Sequence, residues 1–278
     1  MPSVDLEYPT KPYSKVNRYD SRATYSLETI HQIVNTCPIL HVSFNAPNSP
    51  FPTILPMIGQ MGSFARPSAD TGDVLELYLH GYVSSRLMNL SRNVKGGAEG
   101  EEKEEEKGLP ICVAASHVDG LVLSLTPNSH SYNYRSAALF GYAAVVTDPA
   151  EKLYAMELIT NGVARDRYRH TRVPPNNAEL QSTSVLRVKI TAGSAKIRTG
   201  LPSDDKADKE DEELLNSVWT GVIPVHYTLG EPIPGSYNRV QKVPPYLEEF
   251  RADFNRDAKD MAVEAATTPM PAKTKHDE

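Results

Sequence analysis

Two cysteines in 278 residues are too few for a disulfide framework. Cys37 and Cys112 stand in apolar, strand-like text, and neither belongs to a C-x-x-C pair. Two buried, reduced thiols in a cytoplasmic protein are therefore favoured over a disulfide or a catalytic cysteine. No apolar run reaches the roughly 18 residues that a membrane-crossing helix needs, so no membrane association is expected. The opening stretch MPSVDLEYPTKPYSKVNRYD has no apolar h-region, so no secretory signal is expected. The phosphate-loop pattern G-x-x-x-x-G-K-[ST], the dinucleotide pattern G-x-G-x-x-G, the zincin pattern H-E-x-x-H and the hydrolase elbow G-x-S-x-G are all missing. The eight histidines are scattered without ligand spacing, and no metal site is expected from them.

What is present is an ordinary globular balance, 40% hydrophobic and 23% charged. The net charge of −6 is local in origin. Residues 99–107 (EGEEKEEEK) carry −4 and residues 204–213 (DDKADKEDEE) carry −5, which leaves the rest at +3. A weakly basic body suits a small phosphate-bearing ligand and offers no broad basic face to nucleic acid. The low-complexity stretch Ser91–Gly108 lacks apolar periodicity and reads as a solvated loop between strands, in preference to an acidic docking site.

Along the chain, residues 1–20 read as an irregular arm. Ser26 reads as the N-cap of a helix reaching about Asn35. Extended text follows at Ile39–Phe44, Thr53–Gln60 and Asp73–His80, and Pro56 within the second predicts an edge strand or a bulge. Asp119-Gly120, between Ile111–His117 and Leu121–Thr126, predicts a hairpin with a type I′ turn. Ser136–Val146 predicts a long strand, with Gly141 at a bulge or a close backbone approach. Asp148 caps a helix whose apolar stripe is Leu153, Met156, Ile159 and Val163. Two strands, Ser184–Ile190 and Ser194–Arg198, precede a helix near Asp208–Val218 and an extended Val222–Tyr227. The last 25 or so residues read as a frayed polar tail. About eight short strands with three helices predict a mainly β, antiparallel barrel or sandwich.

Two segments could carry chemistry. In YLHGYVSSRLMNLSRN (Tyr78–Asn93) a strand ends at His80-Gly81 and passes Ser84-Ser85 to reach Arg86 at the start of a helical turn. Small residues, two hydroxyls, backbone N–H groups and a guanidinium suit a phosphate. An ordinary strand-to-helix connection with a surface arginine is the competing reading. The second, TPNSHSYNYRS (Thr126–Ser136), is dense in donors, with Tyr132 and Tyr134 available to stack on a planar ring. It reads equally as a polar loop whose tyrosines serve the core or an interface.

Taken in order, HVSF with FPTILPMIG, YLHGYVSSRLMN, DGLVLSLTPNSHSYNYRSAALFGYA, DPAEKLYAMELI, SAKIRTGLPSDD, VWTGVIPV and GEPIPG resemble the pyridoxamine-5′-phosphate-oxidase-like superfamily. The resemblance spans about Arg22–Pro232 and points to the flavin-nucleotide-binding, nitroimidazole-resistance branch, closest to its fungal members. It implies an FMN-binding split β-barrel over 21–235, with an acidic insertion at 94–108 and a C-terminal extension at 236–278. It implies a homodimer with the cofactor at the subunit interface, and haem in place of FMN as the alternative cofactor. The activity implied is reduction of a small organic electron acceptor by a nicotinamide nucleotide, with a non-catalytic module for cofactor storage, sensing or haem handling as the alternative. By resemblance, Ser84, Ser85 and Arg86 bind the cofactor phosphate with His80 and Gly81, although Ser85-Arg86 stands where relatives carry glycine and lysine. Leu55, Pro56, Met57 and Ile58 run along the flavin ring. Asn133, Tyr134, Arg135 and Ser136 form a second contact, and His80 is the catalytic candidate, against a role as a mere strand end. His226 has no arginine beside it, which argues against oxidation of a B6 vitamer.

Overall fold

Ser26 opens the first helix as its spacing predicts. Its hydroxyl accepts from the Thr29 N–H at 3.4 Å, and helix α1 runs Leu27–Thr36 with Leu27, Ile30, Ile33 and Val34 buried. Residues 5–93 and 108–270 are described by the structure, a computed structural model. The acidic run at 99–107 therefore lies outside the described residues.

Eight strands form one sheet. They are β1 (Ala23–Thr24), β2 (Leu40–Phe44), β3 (Thr53–Gly62), β4 (Glu76–Tyr82), β5 (Leu109–Leu123), β6 (Ser131–Val145), β7 (Thr183–Arg198) and β8 (Gly221–Pro224). Their order is β1-β7-β4-β3-β2-β5-β6 with β8 on β5, and an added β6–β7 pairing closes six of them into an antiparallel barrel. The split-barrel expectation holds. Closure removes the free edges that an open sheet would leave. Leu40, Val42, Leu77, Leu79, Leu139 and Leu186 fill the interior and are fully buried. Each such burial contributes about 1.5–3 kcal/mol.

The chain divides into two compact units. One comprises the residues up to Asn17, Ala23–Ser116 and Ser136–Ala195; the other comprises Arg18–Arg22, His117–Arg135 and the chain from Lys196 onward. The first unit contains α1, α2 (Arg86–Asn93), α3 (Pro149–Val163) and α4 (Asn177–Ser182). Asp148 caps α3 by accepting from the Ala150 N–H at 2.9 Å. The buried face of α3 is Glu151, Ala155 and Ile159, not the stripe Leu153, Met156, Ile159, Val163; Val163 is exposed. The face is turned because Tyr78, fully buried on β4, packs against Ala155 and Ile159 while its hydroxyl donates to Glu151 Oε1 at 3.0 Å. A buried phenol selects the face that offers it an acceptor.

Several boundaries differ from the expectation. Ser91–Asn93, assigned above to a solvated loop, closes α2. Asp119-Gly120 makes no hairpin turn, since β5 runs straight through it. Gly120 stands opposite Pro224 in the β5–β8 ladder, and a Cβ there would lie 2.8 Å from Val222 Cγ1. Glycine is required here for a close approach, not a turn. Likewise β7 is one strand where two were expected. Gly141 on β6 meets the other expectation: a Cβ would sit 2.3 Å from the Lys189 carbonyl oxygen.

In the second unit, the predicted helix Asp208–Val218 is two short ones, α5 (Lys206–Lys209) and α6 (Glu212–Ser217). Asp211 interrupts it by capping α6, accepting from the Leu214 N–H at 3.0 Å. The presumed polar tail contains a 23-residue helix, α7 (Pro245–Thr267). It docks through Ala262, Ala265 and Ala266, and Asn255 on it pairs both backbone groups of Leu229 at 2.7 and 3.0 Å. No helix among the described residues is long and apolar enough to cross a membrane.

Candidate functional site

Strand β3 changes partner halfway. Thr53–Met57 pair with β2, whereas Ile58–Gly62 pair with β4, whose ladder begins at Ile58 opposite His80. The backbone of Thr53–Met57 on the side away from β2 therefore has no strand beside it among the described residues. This explains Pro56 without an edge strand or a bulge: β3 is interior to the sheet, and Pro56 stands where it is locally an edge. Ile54 and Ile58 are exposed there, at 59% and 39%, with Leu55 and Met57 half-buried between the exposed positions. An exposed apolar row lies here beside backbone groups with no strand on their outer side, two features that binding surfaces share.

His80 adjoins this edge. Its side chain is exposed, and the burial it does experience lowers its pKa below the ordinary 6.5. A lowered value keeps the imidazole neutral near pH 7, with one nitrogen free to donate and the other to accept. Gly81 follows; a Cβ there would lie 2.5 Å from Met88 Cε and 3.5 Å from Met57 Cε, so the thioethers of β3 and α2 close over it.

The turn after β4 is held by its own residues. Ser85 N–H donates to Tyr82 O at 2.9 Å, Asn89 Nδ2 donates to Ser84 O at 3.2 Å, and Arg92 donates to Val83 O at 2.8 Å. The Ser85 hydroxyl accepts from the Met88 N–H at 3.4 Å, so it caps α2 while its own proton stays available to a ligand. Arg86, the first residue of α2, is exposed and forms no ion pair among the described residues. A guanidinium at a helix N-terminus, with the Ser84 and Ser85 hydroxyls beside it, has the donors that anion binding requires. Leu55–Ile58, His80, Gly81 and Ser84–Arg86 all belong to the first unit.

The residues of the second expected contact have other partners. Asn133 is fully buried: its Nδ2 donates to Gly200 O and Ala265 O, both at 3.1 Å, and its Oδ1 accepts from Arg198. Arg135 forms a two-pronged ion pair with Asp119, both contacts at 2.9 Å. Both side chains are spent on fastening the second unit. Tyr134 is half-buried and lines a cavity of that unit, and Tyr132 is 55% exposed. Ser136 lies in the first unit. The same cavity is lined by Arg18, Arg22, Lys196 and Arg198, a basic cluster that no sequence motif announces because its members stand almost two hundred positions apart. No group of three or more metal-ligating side chains occurs among the described residues. Both cysteines are free thiols, Cys37 buried and Cys112 half-buried, and burial raises the Cys112 pKa.

A family model described as pyridoxamine 5′-phosphate oxidase matches residues 26–197. The chain belongs to the pyridoxamine 5′-phosphate oxidase family. Both the β3–β4 edge and the turn before α2 fall inside the matched region of this family member. It is also similar to the flavocytochrome Anf3 from Azotobacter vinelandii, at 27% identity and a TM-score of 0.68, with 88% of this chain and 99% of that one covered. An FAD and haem binding protein from Mycobacterium smegmatis shares the fold, at 24% identity and a TM-score of 0.64, with 83% of this chain and 97% of that one covered. No curated protein matches.

Proposed function

We propose that this family member binds a flavin nucleotide at the β3–β4 edge, with FMN as the minimal ligand. The observation that carries the reading is the change of partner along β3. It leaves the backbone of Thr53–Met57, on the side away from β2, without a strand among the described residues, beside exposed Ile54 and Ile58 and before a cationic helix start at Ser85-Arg86. A flavin ring has an apolar face and a hydrogen-bonding edge, and its tail ends in phosphate, so the three features match its three chemistries. The similarity to a flavocytochrome over 88% of the chain supports the same reading.

The chain's own residues would divide the work. Leu55, Met57 and Ile58 would exclude water from the ring, and the free backbone groups between Thr53 and Met57 would orient its polar edge. Ser84, Ser85 and Arg86 would hold the phosphate. His80, neutral near pH 7, would hold or deliver a proton at its imidazole beside the ring. The flavin, when bound, supplies electron transfer. The reading extends to a homodimer with the flavin at the subunit interface, reducing a small organic acceptor with electrons from a nicotinamide nucleotide. With no arginine beside His226, vitamer oxidation is not part of it. Haem is the second reading, on the strength of the flavocytochrome likeness alone.

Titration of FMN into the protein, followed by quenching of flavin fluorescence, tests the site. Arg86→Ala removes a charge-assisted contact and is expected to weaken binding about tenfold or more. Unchanged affinity in the variant contradicts the phosphate assignment.

A further inference from the structure

The second unit holds a cavity of about 500 Å³ with an unusual lining. Arg18, Arg22, Lys196 and Arg198 all face it, and no aspartate or glutamate is among its lining residues. Three of these cations share one aromatic ring. The Arg22 and Arg18 guanidinium carbons lie 4.4 and 4.9 Å from the centroid of Tyr19, and Lys196 Nζ lies 5.5 Å from it. Tyr19 takes a left-handed backbone, φ 54°, to present that ring. Lys196 Nζ also donates to the Arg18 carbonyl at 2.6 Å, which ties the N-terminal arm to β7.

Arg198 is the decisive residue. It is 4% exposed, and its hydrogen bonds go to neutral acceptors, Asn133 Oδ1 and Leu201 O. No carboxylate pairs with it among the described residues. Burial and then the charge of nearby Arg22 both press its pKa below the ordinary arginine value. A buried guanidinium with a second cation beside it and no counter-charge is unfavourable unless something negative arrives. Burial and neutral hydrogen bonds alone would explain Arg198. They do not explain why Arg18, Arg22 and Lys196 are gathered at the same cavity. The π face of Tyr19 relieves part of the repulsion among them. Ser129 and Ser131 add hydroxyl donors to the wall.

We propose that this cavity is an oxyanion site that takes a small ligand carrying one or two phosphates. Guanidiniums bind phosphate in two-pronged fashion, and several of them in one cavity suit a group with more than one negative charge. The volume falls within the roughly 300–1,000 Å³ of small-molecule sites, so it admits a phosphate ester as well as the bare ion. All of the lining residues lie in the second unit, whereas the β3–β4 edge lies in the first. The site is thus additional to the flavin site proposed above and does not depend on it.

Calorimetric titration of the full chain with inorganic pyrophosphate tests the proposal, with the FMN-saturated protein titrated in parallel. Binding is expected in both samples, and Arg22→Gln and Lys196→Gln are each expected to weaken it about tenfold or more. Neither substitution touches the buried Asn133–Arg198 network, and circular dichroism checks that both variants fold. A measurement on the wild type alone gives the same information: pyrophosphate should raise its melting temperature, less so as salt is increased. Competition by FAD but not by FMN would identify the phosphates as the tail of a dinucleotide and would support the site. Three results overturn it: no binding at millimolar pyrophosphate, variants that bind as the wild type does, or displacement of pyrophosphate by FMN. Failure of the flavin reading shows separately, as an FMN affinity indifferent to Arg86→Ala.

Discussion

His31 on α1 sits in the first unit with no solvent exposure. Its Nδ1 faces the Thr71 carbonyl at 2.8 Å, and its Nε2 faces the Tyr8 hydroxyl at 2.7 Å. The neutral ring satisfies both, donating from Nδ1 and accepting at Nε2. Burial accordingly lowers its pKa below 6.5, against the smaller raising effect of the Thr71 carbonyl. Because the folded value is below the unfolded one, the unfolded chain takes up the proton first as pH falls. This contribution to stability is complete above about pH 6.5 and is lost as pH drops below it. Urea midpoints should fall with acidification from pH 7, and His31→Gln should flatten that dependence. Asp119 gives a second test at this scale. It is 4% exposed and paired with Arg135. Asp119→Ala leaves a largely buried guanidinium without its partner and is expected to cost about 3 kcal/mol in chemical denaturation. The Asp-Gly pair was misread because the local turn preference is real, and only the β8 strand and Arg135, neither adjacent in sequence, override it.

Periodic elements were the legible ones. The Ser26 cap of α1 and the Asp148 start of α3 each follow from neighbouring residues, and the structure has both. What failed depends on partners far along the chain. The buried face of α3 follows Tyr78, more than seventy positions upstream, instead of the helix's own apolar stripe. Helix α7 was missed because its buried face is alanine, which gives almost no contrast with a polar surface, yet alanine is what lets a helix dock closely. The edge of β3 was half legible: Pro56 signalled a missing neighbour, and only the register shows which residues lack it. In the candidate site, the turn Ser84–Arg86 stands out in the sequence because it is contiguous. The basic cavity could not, because Arg18, Arg22, Lys196 and Arg198 meet only after folding. At this scale Gly141 is the sharpest probe. With 2.3 Å between its would-be Cβ and the Lys189 carbonyl, Gly141→Ala must push β6 from β7. A loss of about 2–3 kcal/mol is expected from urea unfolding, with an unchanged m-value.

For the molecule as a whole, the closed barrel explains stability, and function is proposed where β3, within that barrel, changes partner. The row Ile54 and Ile58, with Phe51 75% exposed nearby, is large and apolar for a surface that faces water. If a second copy covers it together with the flavin, Ile54→Lys should convert the dimer to a monomer in sedimentation and reduce flavin retention in the same sample. A monomeric wild type would contradict the interface. The absorption spectrum of the freshly purified protein, repeated after FMN addition and desalting, tests the central claim most directly. Retained bands near the two flavin maxima are predicted. A protein that stays colourless through both steps, or one that shows only a Soret band, contradicts it.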